Sequence, residues 1–579
     1  MRVRSHIIRL TGGDDLKRII RFFKLFTLPV LILSSLLFFY SVVFAIDTTV
    51  DDPEAALSFF GDISDAITVG KNEISISDHA LDKDRFMSYM LALYNYEPLT
   101  FLVARNYSFT RSKSTVTSVR FSPAFSHDDA LKAILLYKNA LDDCVKGIHG
   151  DWPPEAKILY LYDYIANHFV YDHELVVSDA YGLVSQGKGV CQAFTLFATG
   201  VLNMLGIEND VIIAPSVNHI WNRVKLGGEW YNVDFTWSNL DVFGNCVHDY
   251  LLRSDTHLGI DTDFKLVHMS ETMDWSSVLY PEDNSAVDKY VQEKACWYDT
   301  DTTFVFVNGY WYFLAANGNK IDFRRSPDLF SYETLFSFSD HYMTDNGAHW
   351  SGYFGGITFS GTNIFFTTAK RVMLYDTVTG LFRSLYIYDG KTENCIYGMY
   401  DKGGTLDLII RNYPPTGGTA DESHNVESVS FEIPAEYIQP KELRSFAKNI
   451  EYSLDEDTGK RLIFGVSEGD LPETLVSALG GKVTKADGSA FGDGETLTTG
   501  SVFKMGELEY RVSIPGDVDC NGKVNGDDAD YMLKAILNPD YFPVCYLQDF
   551  DGSGSVDTDD AIYLFMNEEE PSGFPIAKK

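Results

Sequence analysis

The stretch Gly187-Lys188-Gly189-Val190-Cys191-Gln192-Ala193-Phe194-Thr195-Leu196 runs a glycine-bearing turn straight into an apolar helix, with a cysteine at the junction. Phe194, Phe197, Val201, Leu202 and Leu205 recur at helical spacing and predict a helix from Cys191 to about Leu205, stopped at Gly206. Gly187 and Gly189 permit backbone angles that other residues resist. Cys191 then occupies the first helical turn, where N–H groups without intrahelical acceptors and the helix dipole favour an anion. Such a setting favours a nucleophilic thiolate.

A base and an orienting carboxylate follow. His219 lies in Asn218-His219-Ile220-Trp221-Asn222, and Asp234 lies in Trp230-Tyr231-Asn232-Val233-Asp234-Phe235-Thr236-Trp237. Both segments read as strands joined at Gly227-Gly228, a two-residue hairpin signal. That register pairs 219 with 236 and 221 with 234. His219 and Asp234 become diagonal neighbours on a face shared with Trp221, Arg223 and Asn232. Ile220, Val224, Tyr231, Val233 and Phe235 make the opposite, core face. A Cys–His–carboxylate set results: nucleophile, general base and acid, and orienter of the imidazole.

Residues from about Trp152 to His257 resemble the transglutaminase-like, papain-type cysteine enzyme superfamily. The blocks Gly187–Gln192, His219–Asn222 and Trp230–Trp237 carry the resemblance in the order Cys, His, Asp, and Tyr250–Asp255 with His257 adds a weaker match. The resemblance implies an α+β core with Cys191 as nucleophile, His219 as base and Asp234 as orienter. Tyr181, Trp221 and Trp237 flank these blocks and read as cleft lining or as core packing.

The bulk properties bound the rest. A chain of 579 residues exceeds one core and predicts several domains; 45% hydrophobic and 14% aromatic residues indicate folded protein. A net charge of −35 excludes the basic surface that nucleic acid requires and suits solubility or calcium binding. The seven cysteines leave one unpaired, with Cys191 the natural candidate; Cys520 with Cys545 is the first disulfide to expect. There is no CxxC pair to make a zinc site.

Residues 1–45 combine a basic start with an apolar run from Leu25 to Ile46, and read as an export signal cleaved near Ala45. An uncleaved membrane anchor is the alternative, and both readings place the remainder outside the cytoplasm. Residues 46–150, with helices predicted at Asp84–Tyr96 and His127–Ile148, read as an N-terminal elaboration of a catalytic core at 151–275. Residues 295–440 show short aromatic runs between Asn-Gly and Asp turns and predict an all-β, propeller-like domain. Tyr413–Val426 reads as a linker, and 445–514 as a small β-rich spacer module.

The tail at 515–570 carries a second pattern. Asp517, Asp519, Asn521, Lys523, Asn525 and Asp528 stand at positions 1, 3, 5, 7, 9 and 12 of a loop with Gly522 at 6. Asp549, Asp551, Ser553, Ser555, Asp557 and Asp560 repeat it with Gly554. Alternate oxygen ligands wrap a hard cation and the glycine allows the sharp turn, so two calcium ions are expected, with Lys523 and Ser555 ligating through backbone carbonyls. Each loop opens an apolar helix. The pair resembles a type I dockerin with EF-hand-like loops, which implies a cohesin domain on a scaffold protein as partner.

The chain is thus expected to be a secreted, scaffold- or surface-associated cysteine enzyme acting on amide bonds of proteins or peptides. Transamidation, with an amine in place of water, and a non-catalytic peptide- or wall-binding module are the alternatives.

Overall fold

The structure, a computed structural model, describes residues 58–59, 61–63, 66, 71–214, 218–238, 244–254, 257, 267–268, 288–318, 320–339, 342–343, 349–350, 355–413, 425–455, 459–537 and 558–566. The signal or anchor reading of 1–45, most of the expected linker and most of the second calcium loop fall outside them.

The N-terminal elements are β1 (Glu73–Ser75), α1 (Lys83–Tyr96), β2 (Val103–Ser112), β3 (Thr115–Pro123) and α2 (His127–Lys146). Asp82 caps α1 and Ser126 caps α2, each accepting a backbone N–H three residues on. Next come α3 (Pro154–His168), β4 (Val170–Tyr171), α4 (Ala180–Gln186), β5 (Lys188–Gly189) and α5 (Cys191–Met204). Pro154 opens α3, where its missing N–H costs nothing.

The central sheet is antiparallel, built from β6 (Asn209–Ala214), β7 (His219–Leu226), β8 (Glu229–Val233), β9 (Leu251–Arg253) and β10 (Val267–His268) in the order β10-β6-β7-β8-β9. One face buries Val224, Tyr231 and Val233 in the core made by α2 to α5. Val211 and Ile220, also on that face, join a second core with Phe59, Phe86, Tyr89 and Val119 of the N-terminal elements. Cys191 packs at the edge of this second core.

The region after residue 295 is all-β. Its sheets are successive antiparallel meanders: β11 (Val305–Val307), β12 (Tyr310–Asn317), β13 (Lys320–Ser326) and β14 (Glu333–Phe338); then a short pair, β15 (Tyr342–Met343) with β16 (His349–Trp350). The second meander holds β17 (Ile357–Ser360), β18 (Asn363–Thr367), β19 (Arg371–Asp376) and β20 (Leu381–Ile387). The third holds β21 (Cys395–Asp401), β22 (Thr405–Arg411) and β23 (Asn425–Glu432). Asn308-Gly309 turns β11 into β12 with both residues at positive φ, 51° and 80°. Each sheet among the described residues is open, so the structure carries the all-β part of the expectation and does not establish the propeller-like part.

The segment after it contains α6 (Lys441–Asn449), β24 (Glu451–Asp455), β25 (Lys460–Phe464), α7 (Pro472–Leu479), β26 (Lys482–Thr484), β27 (Val502–Met505) and β28 (Leu508–Val512), in the sheet order β24-β25-β28-β27-β26. Two tail helices follow, α8 (Gly526–Leu537) and α9 (Thr558–Met566). Val518, Val524, Met532, Ala561 and Leu564 of the tail share one core with Ile463, Leu475, Phe503 and Tyr510. A latch joins this sheet to the catalytic region: buried Asp151 accepts from Arg461 Nε at 3.0 Å and from Tyr510 Oη at 2.9 Å.

The cysteine expectation is corrected. Cys520 is disulfide-bonded, and its expected partner Cys545 lies outside the described residues. Cys144, Cys246, Cys296 and Cys395 are buried and form no disulfide, and neither does half-buried Cys191.

Candidate active site

Cys191 is the first residue of α5, with Val190 as its N-cap. Two different devices place it. Gly187, the C-cap of α4, has φ +71°, a left-handed angle that suits glycine. Gly189 is extended, pairing through β5 with β4 rather than turning. Its missing side chain is required by packing, because a Cβ there would lie 2.7 Å from Ala193 Cβ and 2.8 Å from Leu183 Cδ1. The helix ends as expected, with Gly206 at φ +68° and Ile207 N–H bonded to the Leu202 carbonyl.

Two threonines on the otherwise apolar helix tie the nucleophile to the base. Thr195 Oγ1 donates to the Ile220 carbonyl at 3.2 Å, and Asn222 Nδ2 donates to Thr199 Oγ1 at 2.9 Å. Strand β7 is thereby fixed against α5 on either side of Trp221, immediately after His219. Polar residues one helical turn apart on a buried helix were the signal that could have revealed this clamp.

The hairpin register is the expected one, with Asn222 opposite Val233 and Leu226 opposite Glu229. The second strand is shorter than expected and ends at Val233. The Asp234 N–H leaves the ladder for the Tyr250 carbonyl. Asp234 Oδ1 accepts the Thr236 and Trp237 amides at 2.9 and 3.0 Å, which turns the chain. Thr236 therefore does not pair with His219, whose partner is Ala214 of β6.

Asp234 Oδ2 lies 2.5 Å from His219 Nε2, with Asp234 fully buried. Cys191 lies close enough to the same ring to act on its charge. Burial by itself would lower the His219 pKa. The Asp234 carboxylate, and then Cys191, overrule it and raise the pKa to about 10. The ring is an imidazolium at neutral pH, beside the carboxylate.

The polar face of the hairpin is buried. Trp237 stacks on His219 with centroids 4.6 Å apart and planes 7° apart. Trp221 Nε1 donates to Asn232 at 2.9 Å. Arg223 pairs with buried Asp210 through Nε and Nη2 at 3.0 and 2.8 Å. Tyr181 packs between Phe101 and Phe125. A further contact escaped sequence reasoning: Gln192 Nε2 donates to the Tyr94 carbonyl and to Asn95 Oδ1, both at 2.9 Å. The end of α1 is thus bonded to the residue after the nucleophile, across nearly a hundred residues of chain that leave no local trace.

Residues 142–235 match the sequence model of the Transglutaminase-like superfamily, a span that includes Cys191, His219 and Asp234. This part of the chain is similar to the transglutaminase-like superfamily. No curated protein matches the chain. Among solved structures, one described as a TGase is 19% identical over 23% of this chain and 44% of its own, with a TM-score of 0.17. A candidate cysteine protease from Cytophaga hutchinsonii is 16% identical over 23% of this chain and 61% of its own, with a TM-score of 0.16. A candidate protease from Parabacteroides distasonis is 9% identical over 49% and 62%, with a TM-score of 0.16. The chain spans less than two thirds of each.

In the tail, the first calcium loop is described throughout. Asp517, Asp519 and Asp528 bring carboxylate oxygens within 4.8 Å of one another. Asp517 and Asp528 are buried, and Gly522 sits at φ +82°. Asp528 accepts the Val518, Asp519 and Asn525 amides, and Asp517 accepts those of Thr499 and Gly522. Burial, with Asp519 nearby, still raises the Asp528 carboxyl to about 6. Converging carboxylates that repel one another and lie out of water are an oxygen donor set that fits a hard cation. Asn521 and Asn525 side chains bond backbone amides of the same loop. Of the second loop, Asp560 is described and buried; Asp549, Asp551, Ser553, Ser555 and Asp557 lie outside the described residues.

Proposed function

We propose that this chain is a secreted cysteine enzyme of the transglutaminase-like type that hydrolyses amide bonds of proteins or peptides. The observation that carries this reading is the buried His219–Asp234 pair at 2.5 Å, on a strand bonded through Ile220 to the helix that Cys191 opens. The Cys191 sulfur attacks an amide carbonyl. The carbonyl oxygen becomes an oxyanion within reach of the Cys191 N–H, which as the first helical residue has no intrahelical acceptor. His219 gives its proton to the departing amine, the carbon–nitrogen bond breaks and a thioester remains. Water, deprotonated by the now neutral His219, attacks the thioester and releases the acid. Asp234 holds the ring in place through both steps.

The test is incubation with a mixed protein and peptide pool, with and without an added primary amine, read by mass spectrometry. New termini or deamidated glutamines that form equally with and without amine support hydrolysis. Amine adducts or cross-links in their place assign the chain to transamidation.

The tail completes the reading. A dockerin-like module, with calcium held by Asp517, Asp519, Asn521, Lys523, Asn525 and Asp528 and by the matching residues of the second loop, would tether the enzyme to a cohesin domain outside the cell. Calcium bound there supplies positive charge that neutralises the loop carboxylates and orders the helix that follows. Chelation is expected to open 515–566 to proteolysis and abolish cohesin binding while leaving the alkylation rate of Cys191 unchanged. Loss of both together would refute separate roles for the two regions.

A further inference from the structure

Away from Cys191, a second cluster of metal-ligating side chains lies wholly out of water. Asp163 of α3, Cys246 and His248 are all buried, and a carboxylate oxygen, the sulfur and a ring nitrogen lie within 4.8 Å of one another. The local chain explains why they converge. Val247 is extended, with φ −86° and ψ 114°, so Cys246 and His248 project from the same side of their segment. The Cys246 N–H donates to the Asp301 carbonyl at 2.9 Å. Tyr162 Oη donates to the Val247 carbonyl at 3.0 Å, which docks the segment on α3 beside Asp163.

The bonds around the cluster are those that metal ligands need. A ligating imidazole donates its other N–H to a carbonyl or carboxylate, which fixes the tautomer and aims the remaining nitrogen; a ligating carboxylate is itself hydrogen-bonded. His248 Nδ1 donates to the Thr300 carbonyl at 3.0 Å, which leaves Nε2 toward Asp163 Oδ1 at 2.8 Å. Asp163 Oδ2 accepts the Phe304 N–H at 2.8 Å, which leaves Oδ1 for the cluster. A thiolate, an imidazole and a carboxylate together suit zinc better than the hard cation of the tail loops. The charges also close. One proton lies on the thiol and one in the His248–Asp163 hydrogen bond. Both leave to solvent when a divalent ion enters, so the buried cluster gains no net charge. The His248–Asp163 hydrogen bond breaks, sulfur, Nε2 and Oδ1 each bond the ion, and a water completes a tetrahedral set.

We infer that Asp163, Cys246 and His248 form a zinc site that ties α3 to the segment entering β11. The site takes no part in the chemistry at Cys191 and stands whether or not that reading does. Its test uses the full chain carrying Cys191→Ala, which removes the other cysteine beside a histidine, dialysed against excess calcium so that the tail loops do not compete for zinc. Elemental analysis after growth with zinc is expected to find about one zinc per chain. Cobalt in its place is expected to give thiolate charge-transfer absorption in the near ultraviolet, lost in Cys191→Ala/Cys246→Ser. A zinc content near zero, or cobalt absorption that survives Cys246→Ser, overturns the site. A second measurement leaves the cluster intact and so does not depend on the folding of that variant. In mild denaturant, zinc is expected to slow iodoacetamide labelling of Cys246 in Cys191→Ala about tenfold, read by peptide mapping. A Cys246 rate that zinc leaves unchanged also overturns it.

Discussion

The transglutaminase-like region holds two buried histidine–aspartate pairs, and each has a cysteine beside it. His219 meets Asp234 at 2.5 Å, and His248 meets Asp163 at 2.8 Å. They differ in what the second ring nitrogen faces. In the first pair the half-buried Cys191 acts on the charge of the ring, and no backbone carbonyl is bonded to it among the described residues. In the second, His248 Nδ1 bonds the Thr300 carbonyl at 3.0 Å, and Asp163 also accepts the Phe304 amide at 2.8 Å. Cys246 there is fully buried, with its sulfur within 4.8 Å of an Asp163 oxygen and a His248 ring nitrogen. Burial, with Asp163, pushes that thiol well above its usual range. The same three residue types therefore make the proposed relay in one place and a strut between α3 and the β region in the other. Access and the partner of the sulfur decide which.

The comparison breaks most visibly at the cysteines. Cys191→Ala is expected to abolish the fast-alkylating site and to lower turnover on the order of 10⁶-fold, whereas Cys246→Ala keeps fast labelling. A fast thiol that persists in Cys191→Ala, measured by peptide mapping, would contradict the assignment. Next come the carboxylates. Asp234→Asn is expected to lower turnover about 10⁴-fold with the fold retained. Asp163→Asn is expected to act on stability, by about 1–3 kcal/mol in denaturant unfolding, because an amide leaves one acceptor oxygen where the carboxylate serves both the His248 ring and the Phe304 N–H. An unchanged unfolding midpoint would remove the strut.

The smallest effect is the dependence on pH. Both histidines have folded pKa values raised above the usual value of about 6.5. Each pair therefore contributes stability that is fully present below about pH 6.5 and lost as pH rises through the folded value. For His219 that value is about 10. Cys191 labelling should change as pH passes about 10, with Asp234→Asn moving the transition to lower pH. A profile that does not move would separate His219 from Asp234.

Much of the first site was legible because its cues are local. The glycine turn, the apolar helix and the Gly227-Gly228 hairpin state their geometry within a few residues, and the hairpin register followed from that two-residue turn. The end of the second strand was not legible, because Asp234 leaves the ladder for a Tyr250 carbonyl supplied by another strand. Nor was Lys188 legible as a pin, since its partners Asp172 and Glu174 lie on a separate segment. The clustering of Asp517, Asp519 and Asp528 was readable in spacing. Its shared core with the preceding sheet was not, because an apolar helix face does not name what covers it.

By itself, the order of residues determined where a nucleophile, a base and a carboxylate could be presented and in what local conformation, because backbone preference and side-chain alternation act over a few residues. Only the tertiary structure decided which imidazole meets a thiol and which meets a carbonyl. His248 and Asp163 stand 85 residues apart, and the pairing of such distant groups is set by packing, burial and charge rather than by any pattern along the chain.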